Sequence, residues 1–260
     1  MVSFILTFGS CTNDDNSDTN LILPKAMVHK DKNNNAYQTT TFTYDANKIV
    51  SVSNENRLIR FTYDGDEIVK EIEYNKYDGK EIKYSETAYS YSNDSLKIVT
   101  TEEAKYVYRN NEDGTIKKEA YDFDDKTGKE LKTGKNEVLT FINGNLIKIV
   151  SDWEHEPYVT TCRYDYDTNN NAFKNVLGLN LLLDQADFGS ELNFSSANNI
   201  NTLNVFTNLL PGTNPDEYLK IAFEPFRDTM DYEYNKNGYP IKKTTYDYAG
   251  RVKEIIEYTY

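Results

Sequence analysis

The chain has 260 residues, a formal charge of -13 and only 38% hydrophobic residues. So acidic a balance excludes a phosphate-backbone partner, whose binding rests on clustered Lys and Arg, and no nucleic acid is expected. A helical protein this polar would struggle to fill a core, but 22 Tyr and 12 Phe supply apolar area and point to thin, half-buried sheets.

Residues 1–10, MVSFILTFGS, carry no charge and lead to Cys11. They are too short to cross a bilayer and read as the end of an apolar signal segment. Phe8-Gly9-Ser10-Cys11 resembles a bacterial lipobox, and Thr12-Asn13-Asp14-Asp15-Asn16-Ser17-Asp18 resembles the acidic run behind the lipidated cysteine of Bacteroidota lipoproteins. The resemblance implies lipidation at Cys11, a mature chain that begins there, and an outer-membrane lipoprotein exported to the cell surface. Residues 1–11 are then signal remnant and lipidation site, 12–35 a flexible acidic and polar tether, and 36–260 a β domain.

From Tyr37 onward, aromatic pairs two residues apart run into tight turns. Phe42 and Tyr44 precede Asp45-Ala46-Asn47, Phe61 and Tyr63 precede Asp64-Gly65, and Tyr89 and Tyr91 form another pair. Tyr106 with Tyr108, Tyr164 with Tyr166, Tyr232 with Tyr234 and Tyr246 with Tyr248 repeat the pattern. The period of two predicts half-buried strands, and Asp-Gly or Asn-Gly between such runs predicts hairpins, because tight hairpin turns need positive φ. The motifs Phe61-Thr62-Tyr63-Asp64-Gly65 and Tyr246-Asp247-Tyr248-Ala249-Gly250-Arg251-Val252 resemble the YD repeats of RHS and teneurin proteins. That resemblance implies consecutive antiparallel strands. The fold class expected is mainly β: an antiparallel meander of Tyr-rich hairpins, an extended or half-barrel sheet, with one or two short helices packed on one face.

Between about 172 and 226 the rhythm stops. Phe173, Val176, Leu177, Leu181, Leu182 and Leu183 suit a helical stripe, with Gly178 as a weak point inside it. A second helix is expected from Asn214-Pro215-Asp216-Glu217 towards Ala222, with a strand around Asn201–Thr207 before it. The apolar face of this insertion needs cover, and the bare side of the sheet offers it.

Nucleophile, phosphate-loop and zinc-protease motifs are missing from the chain. Asp165, Asp167, Asn169 and Asn171 alternate as the first ligands of a calcium loop would, although Asn170 and Val176 stand where its Gly and bidentate Glu belong. Calcium is therefore the one cofactor to consider, against an Asn-rich turn at a strand end. Asp152, Glu154, His155 and Glu156 could gather a metal or an acid pair, against an exposed loop beside the sole Trp. Cys162, the second cysteine, reads as a small buried strand residue.

The leading expectation is a non-enzymatic envelope protein anchored in the membrane through Cys11, its Tyr-rich surface binding glycan or another envelope component. A carrier of an apolar ligand is the second reading, and a carboxylate-dependent hydrolase of envelope polymers the third.

Overall fold

The computed structural model describes residues 21–124, 126–186, 194–214 and 226–260. Cys11 and most of the second expected helix lie outside them. Among the described residues sixteen strands follow one another: β1 (Ala26–Lys30), β2 (Ala36–Asp45), β3 (Lys48–Ser53), β4 (Arg57–Asp64), β5 (Glu67–Tyr77), β6 (Lys80–Ser92), β7 (Ser95–Thr100) and β8 (Ala104–Asn110). Then come β9 (Ile116–Phe123), β10 (Glu130–Ile142), β11 (Asn145–Trp153), β12 (Tyr158–Asn170), β13 (Asn198–Leu209), β14 (Phe226–Tyr234), β15 (Pro240–Tyr246) and β16 (Val252–Thr259). Each pairs antiparallel with the next, and β1 pairs with β16, so the sheet is a closed barrel. The expected half-barrel is corrected here: Ala26–Lys30, inside the stretch expected to be a tether, pairs with both β16 and β2 and removes both sheet edges.

The aromatic pairs explain how the wall is built. Both members point inward, and the ladder shifts register at the second member in β2, β4, β6 and β14, at Tyr44, Tyr63, Tyr91 and Tyr234. A bulge leaves a backbone group of the opposing strand without its ladder partner. A tyrosine from further along the chain supplies the partner. Tyr63 Oη accepts from Ile49 N at 3.1 Å, Tyr91 Oη donates to Ile68 O at 2.8 Å, Tyr166 Oη to Leu146 O at 2.7 Å and Tyr260 Oη to Pro240 O at 2.8 Å. Ile49, Ile68, Leu146 and Pro240 are the residues that face the shifted aromatic position in their hairpins. The repeated Tyr is thus a latch between neighbouring hairpins as well as core.

The first part of the insertion, Ala172 to Ala186, packs inside the barrel. Instead of the expected helix, turns from Ala172 lead to a single 3-10 turn, Leu179–Leu182. Gly178 adopts φ +74, and a Cβ there would lie 2.4 Å from Asp66 O, so the close approach to the β4–β5 turn forbids a helical path with a larger residue. Phe173, Leu179 and Leu182 are fully buried against Phe42, Ile49, Ile59, Ile68 and Val99 of the inner wall. Phe173 meets Phe42 edge-on at 5.0 Å between centroids. Leu177 N donates to Asn47 O at 2.9 Å, and Ala197 N to Gly144 O at 3.1 Å, which fixes this plug at the end that carries the β2–β3 and β10–β11 turns. The lead-in to β1 crosses the same end: Asn175 Nδ2 donates to Ile22 O at 3.1 Å, and Tyr44 Oη to Pro24 O at 2.8 Å. The expected strand at Asn201–Thr207 is present as part of β13.

The outer wall carries charges and hydroxyls along its height, interleaved with Ile72, Tyr121 and Ile255, which share register rows with Arg60, Lys105 and Lys30. Thr41, Thr43, Ser51, Arg60 and Thr62 share it, and ion pairs join Lys30 to Glu257 (2.6 Å), Lys242 to Glu233 (2.7 Å), Lys70 to Glu86 (3.0 Å) and Lys105 to Glu130 (2.8 Å). A barrel that spans a bilayer presents an outward apolar band, which these charges interrupt.

Candidate functional site

The inner wall changes character along the barrel. Next to the plug it is Ile, Leu, Phe and Tyr; towards the other end it becomes charged. Alternation brings His29, Gln38, Arg57, Glu73, Lys118, Glu137, Asp228, Thr245 and Glu254 to the inside, because each shares a register row or an inward parity with the core residues. The candidate site is this polar half-lumen, with the plug as its floor.

The floor is tied to the wall by one charged cluster. Asp184 of the plug accepts from Tyr108 Oη at 2.8 Å and pairs with Lys118 Nζ at 2.5 Å, while Glu137 lies 3.1 Å from the same ammonium and accepts from Ser151 Oγ at 2.9 Å. Burial opposes the Lys118 charge, but Asp184 and Glu137 outweigh it and hold the ammonium above its ordinary range. Burial also pushes the Glu137 carboxyl up, and Lys118 with Lys135 brings it down below the usual carboxylate range. The Cys162 thiol, half-buried on the inner face opposite Ile149, is pushed up by burial. It is therefore a poor nucleophile.

A second cluster lines β14, β15, β16 and β1. Glu254 Oε1 receives His29 Nδ1 at 2.8 Å and Tyr37 Oη at 2.7 Å, with Lys243 Nζ 3.9 Å from its other oxygen. Burial raises the Glu254 carboxyl, and the His29 and Tyr37 hydrogen bonds with the Lys243 charge reverse that, leaving it lowered. Asp228, only 2% exposed, pairs through Oδ2 with Lys253 Nζ at 2.7 Å. Three buried atoms in this sector have no hydrogen-bond partner: His29 Nε2, Asp228 Oδ1 and Thr245 Oγ1.

The residues singled out from sequence lie elsewhere. Asp152, Glu154, His155 and Glu156 are exposed at the end of β11 and the turn after it, and they form no metal-holding group among the described residues. Asp165 is exposed on the outer face opposite Thr202, whereas the Asn171 carboxamide accepts from Phe173 N at 2.8 Å at the start of the plug. Asp167 accepts from Asn169 N (2.9 Å), Asn199 N (3.2 Å) and Tyr234 Oη, bonds that use the lone pairs a calcium ion would need. Asp167, Asn169 and Asn171 therefore pin the plug to the β12–β13 and β14–β15 ends, and Asp165 takes no part. Sequence reading missed Lys118, Asp184, His29, Asp228 and Thr245. The available signal was parity: in Ile116-Lys117-Lys118-Glu119-Ala120 the inward set is Ile116, Lys118, Ala120, a charge among apolar residues.

A closed barrel with an internal plug and a polar half-lumen defines the class by architecture. Among solved structures, the chain is similar to a porin-like protein from Bacteroides vulgatus, at 14% identity over 92% of this chain and 98% of that one, with a TM-score of 0.50. It is also similar to a porin-like protein from Bacteroides uniformis, at 11% identity over 91% of this chain and 97% of that one, with a TM-score of 0.34. At such identity the likeness to the first concerns the fold alone. No protein family and no curated protein matches the chain.

Proposed function

We propose that the chain is a non-enzymatic binding protein of the cell envelope, held at the outer membrane by an acylated Cys11, with its barrel in water and its half-lumen as the binding chamber. The observation that carries this reading is the outer wall. Charges such as Lys70, Glu86, Lys242 and Glu257 lie along the strands, and an outward Lys or Arg at a bilayer midplane costs about 2–4 kcal/mol each. The barrel fold shared with a porin-like protein is compatible with an envelope role, and the charges along the wall favour anchorage over insertion.

Position supports the anchor as well. Cys11 stands ten positions before Leu21, at most about 35 Å of extended chain, and residues 22–24 run across the plugged end. The plugged end then faces the membrane and the polar mouth faces away. Against an apolar carrier, Phe173, Val176, Leu179 and Leu182 already fill the apolar half of the lumen. Against a hydrolase, Glu137 and Glu254 are both pulled down in pKa, whereas an acid catalyst needs a raised one. Metabolic labelling with a fatty acid tests the anchor: label that survives Cys11→Ala would overturn it. The chain from Thr12 onward, made without the leader, should remain monodisperse without detergent; a requirement for detergent would overturn the water-facing barrel.

A further inference from the structure

We infer that the inner wall formed by β14, β15, β16 and β1 is a subsite for a neutral saccharide, entered from the open mouth; this rests on the half-lumen being a binding chamber. Three observations converge on one sector.

The first is hydrogen-bonding capacity. His29, Thr245 and Asp228 are 8%, 7% and 2% exposed, and His29 Nε2, Thr245 Oγ1 and Asp228 Oδ1 are the unpartnered atoms described above. Burial without a partner costs about 1–3 kcal/mol per group, so a ligand that supplies partners removes a penalty already present. Asp228 Oδ1 is an acceptor. Thr245 can donate or accept, and His29, with Nδ1 bonded to Glu254, leaves Nε2 for a ligand. A carboxylate oxygen, a hydroxyl and an imidazole nitrogen suit a ligand rich in O–H groups, which both donate and accept.

The second is charge. Asp228 is matched by Lys253 at 2.7 Å, and Glu254 is flanked by Lys243 at 3.9 Å and His29 at 2.8 Å. Each carboxylate of the sector already has a cationic neighbour, which disfavours a cation over a neutral ligand. The third is the rim above it. Tyr37 at the start of β2, Phe226 at the start of β14 and Tyr248 in the β15–β16 turn are 60%, 39% and 72% exposed at this mouth. A depression of ≈ 400 Å³ opens beside Tyr37, between the start of β2 and the β3–β4 turn at Asn54 and Asn56. Aromatic faces beside hydroxyl-binding groups are the combination that holds a pyranose, apolar on its C–H face and polar at its edge.

The test is calorimetric titration of the protein with maltohexaose and cellohexaose, alongside polygalacturonate and palmitate as charged and apolar probes. Binding of a neutral hexaose, weakened about tenfold by Thr245→Val and by Asp228→Asn with Thr245→Ser near wild type, is the expected result. The His29 Nε2 resonance should move on addition of the same sugar, a readout that loss of packing alone would not give. Melting temperatures of the variants establish that they fold. Hexaose binding that both variants leave unchanged would overturn the subsite. If only polygalacturonate or palmitate binds, the saccharide subsite fails and the binding chamber stands. If no probe binds and no small molecule accompanies the native protein in mass spectrometry, both fail.

Discussion

Replacing Tyr63 by Phe removes one hydroxyl and leaves two backbone groups without a partner. Tyr63 Oη accepts from Ile49 N at 3.1 Å and donates to Leu177 O at 3.0 Å, and Ile49 is 0% exposed, so water cannot replace the lost acceptor. An orphaned buried group costs about 1–3 kcal/mol, and a carbonyl, with a second lone pair, tolerates the loss better than an N–H. The sum expected is about 2–4 kcal/mol, or roughly 5–12 °C in melting temperature for a chain of this size. Tyr91→Phe, which frees only Ile68 O, should cost about 1 kcal/mol. Tyr248→Phe, at a ring 72% exposed, should cost nothing measurable. Thermal and urea unfolding followed by circular dichroism read all three. If Tyr63→Phe falls within about 0.5 kcal/mol of Tyr248→Phe, or Tyr91→Phe costs more than Tyr63→Phe, the latches do not hold the bulges.

Gly178→Ala should destabilise by about 2–4 kcal/mol in urea unfolding, because φ +74 is strained for Ala and the new Cβ meets Asp66 O. Gly250→Ala, with φ +73 and nothing within 4 Å, should cost only about 1 kcal/mol, and the difference isolates the close approach. Asp184→Ala should cost about 2–3 kcal/mol by the same measurement, less than breaking an isolated buried pair, because Glu137 still faces Lys118. Stability should fall in acid: the folded pKa values of Glu137 and Glu254 lie below 4.5, so the unfolded chain takes up protons first, and their contribution, complete above about pH 4.5, is lost as pH drops through the folded values. In alkali the sign reverses. Tyr63 and Tyr166 are raised from 10.0 to about 12 by burial, so stability is lost as pH rises above 10, and absorbance at the tyrosinate band should increase together with loss of the circular dichroism signal.

The one-dimensional pattern was enough to establish strands, turns and the site of the insertion, because side-chain alternation and positive-φ turn residues are local properties. Phe61-Thr62-Tyr63-Asp64-Gly65 announces its hairpin without reference to any other part of the chain. Closure was decided elsewhere. Ala26–Lys30 has no aromatic pair and sits among Asn, Asp and Lys, yet it joins the two ends of the sheet, since backbone pairing satisfies both edges whatever the side chains are. Likewise, the leucines of residues 177–183 carried an apolar stripe, but Gly178 packed on Asp66 O and a lumen lined by Phe42, Ile59 and Val99 turned that stripe into a plug instead of a helix on an open face. The polar sector is the clearest case: His29, Asp228, Thr245 and Glu254 come from four strands and up to 225 positions apart, and only the register of a closed barrel brings them onto one inner wall.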